Sequence, residues 1–144
     1  MKAIAYLKGS HLSDPHAFCE VQLAPPPLEP HDLLVAVEAV SVNPLDTKVR
    51  AGQVAVPDEV RTLGWDASGV VRAVGSAVTL FAPGDAVFYA GTFTRDGANA
   101  ELHRVDERLV GHKPASLSFA QAAAMPLTSL TAWQLLFELS LIHI

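Results

Sequence analysis

Two polar corners carry the side chains of this sequence that could do chemistry. The first corner, residues 41–52, contains asparagine, aspartate, threonine, lysine and arginine, and it follows an apolar run at residues 33–40. The second corner, residues 64–69, reads Gly-Trp-Asp-Ala-Ser-Gly and leads into Val70. Binding and catalytic groups often lie on the segments that follow the buried strands of a rigid scaffold. We therefore take these two corners as the candidate functional regions.

Each polar residue of the first corner has a structural interpretation beside the functional one. Asn43 precedes a proline and could simply satisfy its own turn. Asp46 and Lys48 could handle a proton together, yet a surface ion pair is worth only ~0–1 kcal/mol. A carboxylate that caps a following helical turn is a common structural use, so we interpret Asp46 as structural.

The bulk composition excludes several classes of protein. The 144 residues are 50% hydrophobic and 17% charged, which is typical of a chain that folds around a core. A net charge of −5 without a basic cluster argues against nucleic acid and anionic membranes as partners. One cysteine, a start unlike a signal peptide and no apolar window of ~18 residues predict a cytoplasmic protein that does not enter a membrane.

Short apolar runs between turn signals predict a mainly β protein that ends in helices, an α+β arrangement. We interpret residues 41–52 as a polar turn and residues 53–63 as a loop, and Pro83-Gly84 as the centre of a type II turn. The predicted strands are residues 1–8, 20–23, 33–42, 70–74, 86–89, 99–105 and 108–112.

The last part of the sequence changes to a helical pattern. Ser118 and Gln121 have the spacing of a capping box, which predicts a helix start. After Pro126, Thr128 is the predicted cap of a second helix. That helix would carry an apolar stripe made of Leu130, Trp133, Leu136 and Phe137.

Taken together, the motifs resemble the medium-chain dehydrogenase/reductase superfamily. The similarity is to its zinc-independent quinone oxidoreductase branch, whose members are often labelled zinc-type alcohol dehydrogenase-like proteins. It implies a GroES-like, partly open β-barrel at residues 1–117, helices at 118–138 that bridge toward an absent Rossmann cofactor domain, and an atypical tail at 139–144. The resemblance is carried by residues 41–48 with Gly52, residues 63–71, residues 81–87, residues 97–101, residues 122–127 and residues 131–133.

The resemblance and the residue types together indicate roles for five residues. Asn43 would lie beside the nicotinamide ribose, and Thr131 would reach the nicotinamide, although a helix-interior threonine can also bond back to a carbonyl. Thr128 is a further cofactor-binding candidate besides its use as a cap. Trp65 would fill the space of the absent metal ligand and could line an aromatic substrate pocket. Tyr89, the other residue assigned to the pocket, could donate a proton or simply pack at a strand end. The implied cofactor is NADPH, the implied acceptor is a quinone or another carbonyl, and the complete protein would be a homodimer.

The sequence departs from the family in two respects: it lacks the zinc ligands, and it lacks the glycine motif of the cofactor domain. Alcohol dehydrogenases of the family have zinc-binding Cys and His where this chain has Asn43 and Trp65, and their third ligand would fall near Leu127, so no zinc is expected. None of the nine glycines belongs to a Gly-x-Gly-x-x-Gly motif. The chain alone is therefore expected to be inactive and to expose an apolar patch on its last helix. The alternatives are a non-catalytic GroES-like binding or assembly module and, against the missing ligands, a zinc alcohol dehydrogenase.

Overall fold

A long antiparallel strand pair forms the centre of the computed structural model, which describes residues 1–7, 13–54 and 60–139. The strands are β1 (Lys2–Leu7), β2 (Phe18–Gln22), β3 (Asp32–Ser41), β4 (Val60–Thr62), β5 (Asp66–Val74), β6 (Ala86–Ala90), β7 (Leu102–Asp106) and β8 (Val110–His112). The helices are α1 (Pro44–Arg50), α2 (Phe119–Ala123) and α3 (Pro126–Trp133). A short 3-10 turn at Glu107–Leu109 precedes β8, and a π-helical turn at Gln134–Glu138 follows α3.

The strands form two antiparallel sheets that stay open. The smaller sheet has the order β2-β1-β4, and the larger one has the order β7-β3-β5-β6-β8. The Ile4 N–H donates to the Asn99 carbonyl at 2.8 Å, and the Val37 N–H donates to the Glu101 carbonyl at 3.1 Å, so the segment before β7 connects the sheets. The described strands do not close into a barrel, which confirms the predicted mainly β, partly open architecture.

Two apolar clusters form the core because inward-facing residues alternate along the strands. The larger cluster lies within the five-stranded sheet, and the smaller one lies between α1 and the three-stranded sheet. The larger cluster comprises Leu33, Val35, Ala67, Val71, Val87, Tyr89, Ala98 and Val105, and the smaller one Tyr6, Val49, Leu63 and Trp65.

Several local predictions are confirmed. Ser118 and Gln121 close a capping box at the start of α2. Gly84 has a φ of 100°, and the Asp85 N–H donates to the Ala82 carbonyl at 3.2 Å, as a type II turn requires. Of the atypical tail, residues 140–144 lie outside the described residues.

Four local predictions are wrong. Residues 44–50 form α1 instead of a turn, because Pro44 occupies its first turn, where proline's missing N–H costs nothing. Residues 60–62 of the predicted loop pair with β1 as β4. Strand β5 begins at Asp66 rather than at residue 70, so most of the second corner is strand. Thr128 does not cap α3, because the helix already begins at Pro126 and the Thr128 hydroxyl donates back to the carbonyls of residues 124 and 125.

Candidate functional site

The two polar corners meet at the carboxylate of Asp46. In α1, Asp46 closes a capping box with Asn43, whose N–H donates to Asp46 Oδ2 at 2.8 Å. The other oxygen, Oδ1, accepts from the Gly64 N–H at 2.8 Å. The interpretation of Asp46 as a capping carboxylate is therefore confirmed, and the same side chain fixes one corner against the other.

Gly64 allows the side chain of Asn99 to lie close to the backbone where the two corners meet. Its φ of 95° lies in the region that side chains rarely adopt, and an added Cβ would lie 2.8 Å from Asn99 Oδ1. The corners also enclose a cavity of about 290 Å³ next to Asn43. Its lining comes from β2, both corners and the segment before β7, with Phe18, Ser41, Val42, Asp46, Thr47, Arg50, Leu63, Gly64 and Asn99.

A chain of hydrogen bonds runs from Asn43 through Asp66 to the start of α3. Asn43 Nδ2 donates to Asp66 Oδ2 at 3.0 Å and approaches the Ser41 carbonyl at 3.4 Å. The Leu127 N–H donates to Asp66 Oδ1 at 3.1 Å. The first residue of β5 therefore contacts both the strand end that carries Asn43 and the first turn of α3.

The carboxyl of Asp66 is buried, and among the described residues no basic side chain bonds to it. The residue is fully buried, and both of its oxygens accept from neutral N–H groups. Burial raises the pKa of this carboxyl above its usual value, whereas the bonds from Asn43 and Leu127 lower it and the nearby Asp46 charge raises it further. Such a perturbed group is typical of functional sites. Sequence reasoning missed Asp66, although Asp66 and Ser68, two polar residues on one face of an apolar strand, were a usable signal.

Thr131 and Thr128 lie on the exposed side of α3, next to this network. The Thr131 hydroxyl donates to the Leu127 carbonyl at 3.0 Å, which leaves its oxygen free to accept another bond. Thr128 follows Leu127 directly in the chain. The cofactor candidates Asn43, Thr128 and Thr131 are thus brought to one end of the molecule, with Asp66 and Leu127 between them.

Tyr89 lies opposite Ala67, the residue after Asp66, and contributes to the groove beside α3, but its hydroxyl is already bonded. The residue is 1% exposed, and its oxygen lies 2.9 Å from His103 Nδ1. His103 Nε2 lies 3.0 Å from the Asp96 carbonyl, which can only accept, so Nε2 carries the proton and Tyr89 donates to Nδ1. Burial raises the pKa of Tyr89 and lowers that of His103 to about 4. The hydroxyl proton of Tyr89 is therefore committed to His103, which favours the packing alternative over the proton donor.

Trp65 is also part of the core rather than of an open pocket. It is 1% exposed, packs with Tyr6, Val49 and Leu63, and directs its indole N–H toward the Arg95 carbonyl at 3.4 Å. The prediction that Trp65 lines a substrate pocket is not supported, because its whole ring surface is covered by this chain.

The residues at this end do not fit a tetrahedral zinc site. Zinc requires three or four nitrogen, sulfur or carboxylate ligands. Of the three positions implied by resemblance, Asn43 bonds to Asp66, Trp65 is buried in the core, and Leu127 is apolar. Within residues 1–7, 13–54 and 60–139, no three His, Cys, Asp or Glu side chains cluster as a metal site.

The surface of α3 is apolar and exposed. A groove of about 430 Å³ runs between α3 and β6, lined by residues such as Phe88, Pro114 and Leu130. The Trp133 and Phe137 rings contact each other, with centroids 4.5 Å apart, while both remain more than half exposed. No helix among the described residues has the length and apolar character that crossing a membrane would require. The predicted stripe is exposed as expected: Leu130 at 53%, Trp133 at 58%, Leu136 at 49% and Phe137 at 51%.

Comparison with known proteins identifies relatives that share this architecture. Residues 29–133 match the family model of the alcohol dehydrogenase GroES-like domain. A zinc-type alcohol dehydrogenase-like protein from Staphylococcus aureus is 43% identical over 138 residues, which are 96% of this chain and 41% of that protein.

Solved structures agree with the sequence matches. A Rhizobium etli protein provisionally named a zinc-dependent alcohol dehydrogenase superposes with a TM-score of 0.89 and 52% identity, over 96% of this chain and 40% of that one. The Escherichia coli quinone oxidoreductase, solved in complex with NADPH, superposes with a TM-score of 0.86 and 31% identity, over 96% and 41% of the two chains. This chain therefore spans about two fifths of the length of these relatives.

Proposed function

This chain belongs to the family of alcohol dehydrogenase GroES-like domains, and on that premise we propose that it forms the substrate side of a zinc-independent, NADPH-dependent oxidoreductase. Its acceptor is a quinone or another electron-poor carbonyl or enone. The observation that carries the proposal is the Asn43–Asp66–Leu127 network, which brings polar cofactor candidates from two distant parts of the chain to one end of the sheet. The oxidoreductase names of the relatives support the reaction class.

In this proposal the nicotinamide lies against Asn43 and α3. Asn43 contacts the ribose, and Thr131 and Thr128 offer hydroxyl oxygens to the nicotinamide. NADPH supplies the hydride, while the chain orients the acceptor and excludes water. The 430 Å³ apolar groove and the exposed stripe then face the part of a full-length protein that would bind the rest of the nucleotide.

The acceptor is assigned to the 290 Å³ cavity between the two corners. This assignment replaces the pocket predicted at Trp65 and Tyr89, since both of those side chains are buried. Loss of the zinc ligands favours a quinone over an alcohol, because no metal polarises an alcohol oxygen and the reduced quinone gains aromatic stability. We further propose a cytoplasmic, homodimeric complete protein.

A chimeric enzyme tests the proposal. Residues 1–133 of this chain would replace the matching part of the Escherichia coli quinone oxidoreductase, and NADPH oxidation would be followed with 1,4-benzoquinone. We expect turnover, and we expect Asn43→Ala to lower kcat/KM about tenfold or more, the loss typical of one positioned hydrogen bond. Gln53→Ala, an exposed change just beyond α1, is the matched control and should leave kcat/KM unchanged.

The outcome separates this function from its alternative. A folded chimera, verified by its circular dichroism and cooperative melting, that binds no NADPH and reduces no quinone would overturn the proposal and favour the binding or assembly module. If Asn43→Ala leaves kcat/KM of the chimera unchanged, Asn43 does not contribute to the cofactor site.

A further inference from the structure

Asp66 is the residue that connects the candidate site, yet its own side chain is inaccessible to a ligand. It is fully buried and has no exposed surface for a nucleotide or an acceptor to contact. Its two carboxylate oxygens instead divide between two elements: Oδ2 accepts from Asn43 Nδ2 at 3.0 Å, and Oδ1 accepts from the Leu127 N–H at 3.1 Å. A group in this position can act on a ligand only through its neighbours.

The bond to Leu127 also satisfies a specific need of α3. The first N–H groups of a helix lack partners within the helix, and a side-chain oxygen normally accepts from one of them. Met125, at the N-cap position, makes no such bond. The Asp66 carboxylate supplies the missing acceptor from β5, and its negative charge near the helix N-terminus is electrostatically favourable.

The bond to Asn43 fixes the orientation of an amide side chain. A carboxylate only accepts, so Asn43 must direct its NH2 group toward Asp66. The NH2 group then faces Asp66 Oδ2 at 3.0 Å and the Ser41 carbonyl at 3.4 Å. The Asn43 backbone is held by its bond to Asp46. Without Asp66, the Asn43 amide could rotate and exchange the places of its donor and acceptor.

We propose that Asp66 is a positioning residue, whose buried carboxylate holds the Asn43 amide in one orientation and at a fixed place relative to the first turn of α3. This role rests on the proposed function, in which Asn43 and α3 contact the same nicotinamide nucleotide. Asp66 thereby sets the geometry of the two contacts without touching the nucleotide itself.

Nuclear magnetic resonance of the 144-residue chain tests this role. Asp66→Asn keeps the size of the side chain but can accept only one of the two bonds. We expect the Leu127 amide proton to exchange about tenfold faster, and the Asn43 side-chain amide signals to shift, in this variant. Ser68→Ala is the matched control, because Ser68 lies two residues along β5 and bonds to the Phe119 carbonyl at 2.7 Å, outside the network.

A double-mutant cycle on NADPH affinity supplies the readout that a purely structural role would not produce. NADPH is titrated into the chimeric enzyme described above, and we expect Asp66→Asn and Asn43→Ala each to weaken binding about tenfold. Because Asp66 acts through Asn43, the double variant should also lose about tenfold rather than about a hundredfold. Ser68→Ala should bind NADPH like the unmodified chimera.

The possible failures are distinct. Additive losses in the double variant, or unchanged Leu127 exchange together with unchanged Asn43 amide signals in Asp66→Asn, would overturn the positioning role. If the folded chimera binds NADPH equally well with and without Asn43→Ala, the proposed function fails at this site, and the exchange measurement alone still decides whether Asp66 holds Asn43 and α3 together. If Asp66→Asn does not fold, the unmodified chain is used instead. The measurement is the scalar coupling across the hydrogen bond between the Leu127 nitrogen and the Asp66 carboxyl carbon, and absence of this coupling would overturn the positioning role.

Discussion

Two buried aspartates lie at opposite ends of the β3–β5 pair, and their surroundings differ. Asp32 begins β3 at the end that we call the paired end, because its carboxylate forms ion pairs. It lies 2.8 Å from Arg95 Nη1 and 3.6 Å from Arg104 Nε, and Glu29 lies beside both arginines. At the opposite end, which we call the open end, Asp66 is the strand partner of Ser41 of β3 and its carboxylate accepts only from neutral N–H groups. Both aspartates are at most 1% exposed.

The difference shows what each end of the sheet contributes. Arginines around Asp32 compensate its charge and connect the loop at residues 92–97 and β7 to residues 27–32, which stabilises the fold. The open end instead keeps a buried carboxylate without a cation among its contacts, next to an exposed apolar helix. A fold tolerates such an uncompensated group where the neighbouring surface binds something. The predictions below compare the two ends, beginning with the largest effect.

Removing the carboxylate at the paired end should cost the most stability. Asp32→Ala removes the buried acceptor of Arg95 Nη1 and of the Glu29 N–H and leaves both arginines with Glu29 as their acidic partner, so we expect a loss of about 3 kcal/mol in the free energy of unfolding. Asp66→Asn at the open end should cost about 1 kcal/mol or less, because the lost hydrogen bond is offset by relief of a buried charge. Urea unfolding measures both values, and equal losses would abolish the distinction between the ends.

Lowering the pH should reduce the free energy of unfolding, because His103, the residue before Arg104 at the paired end, becomes protonated. Burial lowers its pKa to about 4 from an ordinary value of 6.5, so the unfolded chain binds this proton more tightly than the folded one. The stability that neutral His103 provides is present above pH 6.5 and is lost as the pH falls toward 4, by about 3 kcal/mol at most.

His103→Gln provides the control for this titration. The variant keeps polar atoms near Tyr89 and Asp96 but cannot titrate, so its unfolding free energy should vary less between pH 6.5 and 4. A parallel pH dependence in both proteins would show that His103 is not the group responsible.

Association should depend on the open end. Two leucines of similar exposure provide a matched pair: Leu130 on α3 is 53% exposed, and Leu80, outside α3, is 58% exposed. We expect the chain to self-associate through its exposed apolar surface, and Leu130→Ser to weaken association about tenfold, as expected for a few tens of Å² of lost apolar contact. Leu80→Ser should have no effect in sedimentation equilibrium. A monomer at high concentration would contradict this prediction.

The smallest effect concerns the pH dependence of the open end, and its sign is opposite to that of His103. Burial raises the pKa of Asp66 above 3.8, so the folded chain holds this proton more tightly than the unfolded one. The resulting stability is present below pH 4 and is lost as the pH rises through the folded pKa. Relative to Asp66→Asn, the unmodified chain should therefore be more stable at pH 4 than at pH 7. Gln53→Ala, an exposed change at a residue that does not titrate, should show no such trend, and a reversed sign for Asp66→Asn would contradict the raised pKa of Asp66.

Local signals explain which elements were predictable. The capping box at Ser118 and the type II turn at Gly84 depend on a few neighbouring residues, and both were predicted. Helix α1 was not predicted, because a proline followed by mixed polar residues is equally typical of a turn. Strand β4 has only three residues and is defined by its pairing with β1, a contact between segments more than fifty positions apart.

The sequence by itself determined the family, the mainly β architecture and the exposed apolar stripe, because each depends on local pattern or on motifs in order. Tertiary structure alone decided which polar residues meet. Asn43, Asp66 and Leu127 span more than eighty positions, and no local pattern encodes their contact. Tertiary packing also buries Trp65 and Tyr89 and so removes them from the predicted substrate pocket. A side chain's access to a ligand depends on what the rest of the chain packs against it.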